Sequence, residues 1–188
     1  KAEAVRQVAA FADYSDYLRS LEMTVVLTDF QPMYIQRIAQ LTNKSNQFNL
    51  TTKRCSEEDI RHMQESDEYV CLCGRLKDKF GDNGIVSVVA GKIEDEVLAI
   101  QLWLMSCRVL KRGMEDAMMN ELVRLARQRG IKTIRGYYYP TAKNGMVKDF
   151  FVNEGFTRIE DTEKQNVDEI QVDCYTERDI YMQVEDRI

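Results

Sequence analysis

The chain has 188 residues, 44% of them hydrophobic, and a formal net charge of −5. That length suits one domain with an appended segment, and the apolar share excludes wholesale disorder. The acidic balance argues against a nucleic-acid partner, and no apolar run approaches the roughly 20 residues of a membrane span.

The first residue is Lys1 rather than Met, and no signal-peptide pattern opens the chain. A cytoplasmic piece of a longer protein is therefore expected. Residues 1–22 predict a connecting helix, because Val5, Val8, Ala9 and Ala12, then Tyr14, Tyr17, Leu18 and Leu21, recur at helical spacing. The rest, 23–188, predicts one folded domain. Thr24–Phe30 is a short β-rich run, and Pro32 stands near a helix start, where its missing N–H costs little. Ile35, Ile38, Ala39 and Leu41 share one side of that helix. Residues 43–50 are polar and predict a turn. Ser56 before Glu57-Glu58-Asp59 is a plausible cap for a further helix.

In the middle of the chain the period changes to two. Tyr69–Leu76 alternates, Gly81–Gly84 predicts a turn, Ile85–Ala90 a strand and Glu94-Asp95 a second turn. Leu98–Met105 is apolar almost throughout, as a strand covered on both faces would be. These strands predict an antiparallel meander. A long amphipathic helix follows over about Gly113–Arg129, with Met114, Ala117, Met118, Leu122, Leu125 and Ala126 as its stripe and Gly130 as its stop. Ile131–Tyr139 predicts a strand, Asn144–Asn153 a short helix, and Phe156–Ile159 a strand. Glu160–Asp168 predicts a loop, and Ile170–Tyr175 and Ile180–Val184 the closing strands. The order predicts an α+β fold: a mixed, mostly antiparallel sheet of about seven strands with helices on both faces.

Five cysteines, Cys55, Cys71, Cys73, Cys107 and Cys174, are an odd set and predict free thiols, with Cys71 and Cys73 on one face of a strand. With His62 as the single histidine and no paired Cys-x-x-Cys, a metal site is not expected. A Ser-His-Asp triad would rest on His62 alone, in a polar helical stretch.

The stretch Arg108-Val109-Leu110-Lys111-Arg112-Gly113-Met114-Glu115 joins the apolar strand to the amphipathic helix. A helix N-terminus offers unpaired N–H groups and the positive end of its dipole, and Gly113 allows close backbone approach. Arg108, Lys111 and Arg112 add charge. The stretch suits a phosphate group, or else a basic, solvated helix start.

Arg108-x-x-Lys111-x-Gly113 resembles the Q/R-x-x-G-x-G/A acyl-CoA loop of the GNAT superfamily (Gcn5-related N-acetyltransferases). Asn144, Phe150-Phe151 and Gly155-Phe156 resemble that family's following Asn and Gly-Phe segment. A narrower resemblance, carried by Asn43–Thr52, Trp103–Leu110 and Pro140–Asn144, is to the C-terminal region of FkbH-like proteins. There a haloacid-dehalogenase-type phosphatase domain precedes a GNAT-like domain, and the proteins load glyceryl or related acyl units onto carrier proteins. The phosphatase motif Asp-x-Asp-x-Thr does not occur in this chain, so the resemblance implies the GNAT-like part, with the phosphatase domain elsewhere in the full-length protein.

The resemblance implies an acyltransferase that uses acetyl-CoA, another acyl-CoA or carrier-bound phosphopantetheine and passes the acyl group directly to an amine or other nucleophilic acceptor, with a small molecule or a carrier protein as substrate. Backbone N–H groups of Val109, Leu110, Lys111, Arg112 and Gly113, up to Met114, would hold the pyrophosphate. Arg108 takes the Q/R position, and Asn144 and Phe151 would lie by the arm. The thioester would sit between splayed strands Leu98–Met105 and Ile131–Tyr139. Two positions depart from the pattern: Lys111 stands for a glycine, and Phe151 for the tyrosine that protonates the leaving thiolate. Tyr138 or Tyr139 are the replacement donors, although neighbours on a strand face opposite ways. Cys107 could take an acyl group beside the helix dipole, or simply pack in the interior. The alternative implied function is a catalytically silent module that binds a phosphopantetheine arm or the partner phosphatase domain.

Overall fold

Residues 14–188 are described by the structure, a computed structural model. The part of the expected first helix that precedes Tyr14 lies outside the described residues. Its end is α1, Tyr14–Ser20.

The period-two runs form the predicted meander. Strands β1 (Met23–Thr28), β2 (Tyr69–Asp78), β3 (Gly81–Glu94) and β4 (Val97–Met105) pair antiparallel in turn. The second half adds β5 (Thr133–Tyr138), β6 (Thr157–Asp161), β7 (Asn166–Gln171) and β8 (Met182–Asp186). All eight share one sheet in the order β6-β7-β5-β4-β3-β2-β1-β8. Only β4–β5 and β1–β8 are parallel.

Helices cover both faces because their apolar stripes demand it. On one face lie α2 (Ile35–Lys44) and α3 (Glu57–Glu65), whose Ile35, Ile38, Leu41 and Ile60 pack with Cys73, Val88, Leu102 and Leu104 of the sheet. Ser56 caps α3 in a capping box with Asp59. On the other face lies α4 (Met114–Gln128), with Met114, Met118 and Leu122 over Leu72, Ile100 and Trp103. The short α5 (Phe150–Asn153) adds Phe150 and Phe151 to that cluster.

Several local expectations are corrected. The β2–β3 turn sits at residues 79–80, earlier than Gly81–Gly84, because the Asp78 carboxylate accepts the Phe80 N–H and closes a tighter turn. Residues 160–168 are mostly strand. Thr162 closes a four-residue turn onto Gln165, and the polar look of the segment comes from an ion pair, Arg158 to buried Asp168 at 2.9 Å. Strand β7 therefore starts at Asn166 and ends at Gln171, and Val172–Cys174 is a 3-10 turn. Asn144–Asn153 is split into a 3-10 turn, Gly145–Val147, and α5. The sheet's eight strands agree with the expected count of about seven. Cys71 and Cys73 do share one face, and burial pushes the Cys71 thiol up to about 12, so neither ionises readily.

Glu154, at the C-terminal end of α5, is buried beside Arg178, 3.3 Å away, with Asp116 and Glu115 of α4 near it. Burial, then a hydrogen bond to Asp116, raises its pKa above the ordinary 4.5. The folded chain thus holds a proton that the unfolded chain releases. This stabilisation is whole below pH 4.5 and is lost as pH rises toward the folded pKa. Melting temperature is expected to fall from about pH 5 toward pH 9, and Glu154→Gln, which stays neutral, is expected to flatten that fall. Equal slopes in thermal melts of the two proteins would refute the assignment.

Candidate functional site

Strands β4 and β5 pair only at Val97, Leu98 and Ala99 opposite Thr133, Ile134 and Arg135. Beyond that they diverge, as the sequence reading expected, but a thioester does not fit between them. The chain itself lies there. Leu50 donates its N–H to the Trp103 carbonyl at 3.0 Å, and Met105 donates to the Phe48 carbonyl at 3.0 Å. The Thr51 hydroxyl donates to the Gln101 carbonyl at 2.9 Å. On the other side, Tyr139 donates its N–H to the Leu50 carbonyl at 2.9 Å. Phe48, Asn49 and Leu50 are buried, so residues 48–51 act as an inserted piece of strand that takes up the facing edge of β4 and bonds to Tyr139, just past β5. An extended arm that pairs with β4 needs the same backbone groups, so it does not fit here. The polar turn expected over residues 43–50 holds this insert. The i, i+2 spacing of Phe48 and Leu50 was the signal for it.

Asn144 fixes the insert. Its amide donates to the Asn49 carbonyl at 3.0 Å and to the Tyr139 carbonyl at 2.9 Å, while its oxygen accepts the Thr141 N–H at 2.8 Å. All of this happens at zero exposure. The structure gives Asn144 backbone partners, with no group turned to a ligand arm.

The β4–α4 turn holds two residues in the left-handed region. Lys111 has φ 62° and Gly113 φ 83°, both left-handed. Lys111 holds that conformation with help from the Tyr14 hydroxyl, which donates to its carbonyl. Gly113 is the N-cap of α4 with no side-chain cap, and a Cβ there would meet nothing within 4 Å. The first amides of α4 therefore lack a partner within the helix. Two acids oppose an anion, however. Burial raises the Glu115 pKa, against the lowering effect of its own N–H, which its carboxylate accepts, and Asp116 follows it in the same turn.

The remaining predicted residues divide by burial. Val109 and Met114 are buried, so only their backbones face the turn, and Leu110 packs against the core. Arg112 pairs with Asp78 at 2.6 Å. That pair, with the Phe80 N–H, outweighs burial and keeps the Asp78 carboxyl below its usual range. Phe151 is in the core, edge-on to Trp103 and against Phe156. Tyr138 is buried as well, and desolvation raises its pKa, while Tyr137 and Tyr139 share the opposite side as a tilted ring pair. Tyr139 is the more accessible of the two expected donors, half-buried with its pKa also raised by desolvation.

Cys107 is exposed, so a packing role is excluded. With Arg108 it lines a cleft of about 640 Å³ between the end of β4, residues 44–48 and Lys143. The structure thus brings Cys107 and Arg108 together in the cleft, and leaves Tyr138, Phe151 and Asn144 in the interior. Sequence reasoning missed Arg37, Lys44 and Lys143, which line the same cleft.

Among the described residues, no group of three or more His, Cys, Asp or Glu is placed to hold a metal, and no helix is long and apolar enough to cross a membrane. No protein-family model matches the sequence, and no curated protein matches it. Solved structures do match. The ribosomal-protein-S18-alanine N-acetyltransferase from Escherichia coli superposes with a TM-score of 0.60 at 10% identity, over 79% of this chain and 94% of that one. The GNAT domain of S. lividans PAT superposes with 0.59 at 17% identity, over 77% and 89%. The PaiA N-acetyltransferase from Thermoplasma acidophilum, solved in complex with coenzyme A, superposes with 0.57 at 13% identity, over 78% and 98%. The chain has the GNAT fold, an α+β arrangement on a mostly antiparallel mixed sheet.

Proposed function

We propose that this domain is an acyltransferase in which the acyl donor is met at the Cys107 cleft, outside the space between β4 and β5. One observation carries the reading: an exposed thiol stands in a basic cleft at the end of β4, on a GNAT frame. The fold's neighbours include N-acetyltransferases, which supports acyl transfer as the chemistry. The Cys107 thiolate would attack the carbonyl of an acyl thioester. A new C–S bond forms, the donor C–S bond breaks, and the donor thiolate leaves and takes up the proton. An amine or other nucleophile then takes the acyl group and frees the thiol.

Acyl transfer is expected to leave one acyl group on Cys107 after incubation with S-acetylpantetheine, read by intact-mass and peptide mapping. Cys107→Ala should drop thiol release to background. Cys174, the other exposed free thiol among the described residues, is the internal control. Equal labelling of Cys107 and Cys174, or none at Cys107, would sink the reading. The filled space between β4 and β5, with Tyr138 and Phe151 buried, favours a second reading: a silent GNAT-like module that binds a carrier's phosphopantetheine arm or a phosphatase domain of the same protein. Binding of a phosphopantetheinylated carrier without acyl transfer would support it. The FkbH-like context fits either reading.

A further inference from the structure

The cleft beside Cys107 carries more positive charge than the chemistry above uses. Arg37 and Lys44 reach it from α2, Arg108 from the β4–α4 turn and Lys143 from the loop after β5. None of the four forms an ion pair with a carboxylate of the described residues, and no Asp or Glu lines the cleft. For Arg37 and Arg108 this is unusual in a chain of net charge −5 whose other arginines are mostly paired. Arg19, Arg61, Arg75, Arg112, Arg124, Arg135, Arg158, Arg178 and Arg187 each meet an acid.

The partners these cations do have are neutral. Arg37 donates to the Gln40 side chain at 2.8 Å, and Arg108 to the Ser106 hydroxyl and the Asn83 carbonyl at 3.4 Å. Lys44 lies in the last turn of α2, where a cation is favoured by the dipole, but that explains one charge of four. Like charges from three elements around one concavity repel each other unless an anion joins them. The floor is apolar, with Phe48 and Met105. The shape is a charged rim over a hydrophobic floor, open to solvent.

We propose that this cleft binds a phosphate ester, with the phosphate against Arg37, Lys44, Arg108 and Lys143 and the attached carbon chain on Phe48 and Met105, toward Cys107. A phosphate monoester fits this rim better than a carboxylate, since it brings close to two charges and three acceptor oxygens to donors on separate elements. The proposal deepens the acyltransferase reading and rests on it for the meaning of Cys107. The phosphate sits either on the thioester arm or on the acyl unit, and the chemistry of the rim is the same in both cases.

Calorimetry with two matched pairs tests it: 4′-phosphopantetheine against pantetheine, and O-phosphoserine against serine. At least one phosphate ester is expected to bind, roughly tenfold or more tighter than its neutral partner, and to weaken as salt is raised. The tighter ester tells which source carries the phosphate. Arg37→Gln and Lys143→Gln, at a half-buried and an exposed position, are each expected to weaken that binding roughly tenfold, with unchanged melting temperature. Two outcomes would overturn the site: no phosphate ester preferred over its neutral partner, or variants that bind like the wild type. Phosphate-dependent binding without a Cys107 adduct would leave this site standing and remove the acyl-transfer reading. An adduct from neutral S-acetylpantetheine with no phosphate preference would do the reverse.

Discussion

Asn144→Ala is expected to lower stability by about 2–4 kcal/mol and to release the segment inserted between β4 and β5. The side chain is wholly buried and makes three hydrogen bonds to backbone, at Asn49, Tyr139 and Thr141. Alanine removes all three and leaves two carbonyls and one N–H without their partner. A buried polar group left unpaired costs more than an average hydrogen bond contributes, so the loss exceeds that of a surface substitution. Asn144→Asp is expected to do no better. It still accepts from Thr141, but sets a carboxylate against two carbonyl oxygens. Denaturant melts read the stability, and hydrogen exchange at Leu50, Met105 and Tyr139 reads the insert, because those three amides bond across it. Wild-type protection at all three sites in the Ala variant would show that Asn144 does not hold the segment.

Gly136→Ala is expected to cost about 2–3 kcal/mol, the range for overpacking a tight core. A Cβ at Gly136 would stand 2.5–2.6 Å from three ring carbons of Phe151. That ring cannot yield, since Trp103, Phe150 and Phe156 all touch it. Phe151→Leu is expected to relieve the clash, so the double variant should be more stable than the two single losses predict when added. Simple additivity in chemical denaturation would contradict the packing described. The same contact bears on function. Phe151 was expected beside a bound thioester, where a tyrosine would protonate the leaving sulfur. The absence of space between its ring and β5 means that Phe151→Tyr should lower stability without adding a proton donor to the cleft.

The fold was legible because it rests on local patterning. The alternation in Tyr69–Leu76 and Ile85–Ala90, the unbroken apolar run ending at Met105 and the stripe Met114–Ala126 each admit one way to bury their apolar faces. The β4–α4 turn was legible for a similar reason. A left-handed backbone at residue 113 calls for glycine, and the helix that follows announces its own start. Lys111 adopts a left-handed backbone as well, at φ 62°. Strand ends were less legible where a buried polar residue is paired: Asp168, held by Arg158, reads as loop by composition but is sheet by pairing.

The cleft was only partly legible. Cys107 and Arg108 could be singled out because they border the turn in sequence. Arg37, Lys44 and Lys143 could not: Lys44 and Lys143 lie in segments that carried a resemblance, but nothing along the chain sets any of the three beside Cys107. The amino-acid sequence by itself determined the elements, their order and the two-faced sheet, because hydrophobic periodicity acts within each segment. The tertiary structure alone decided what fills the space between β4 and β5 and which charges meet beside Cys107. Both depend on long-range pairing: backbone groups of residues 48–51 find partners on strands more than 50 residues away, and four cations gather without an acid to neutralise them.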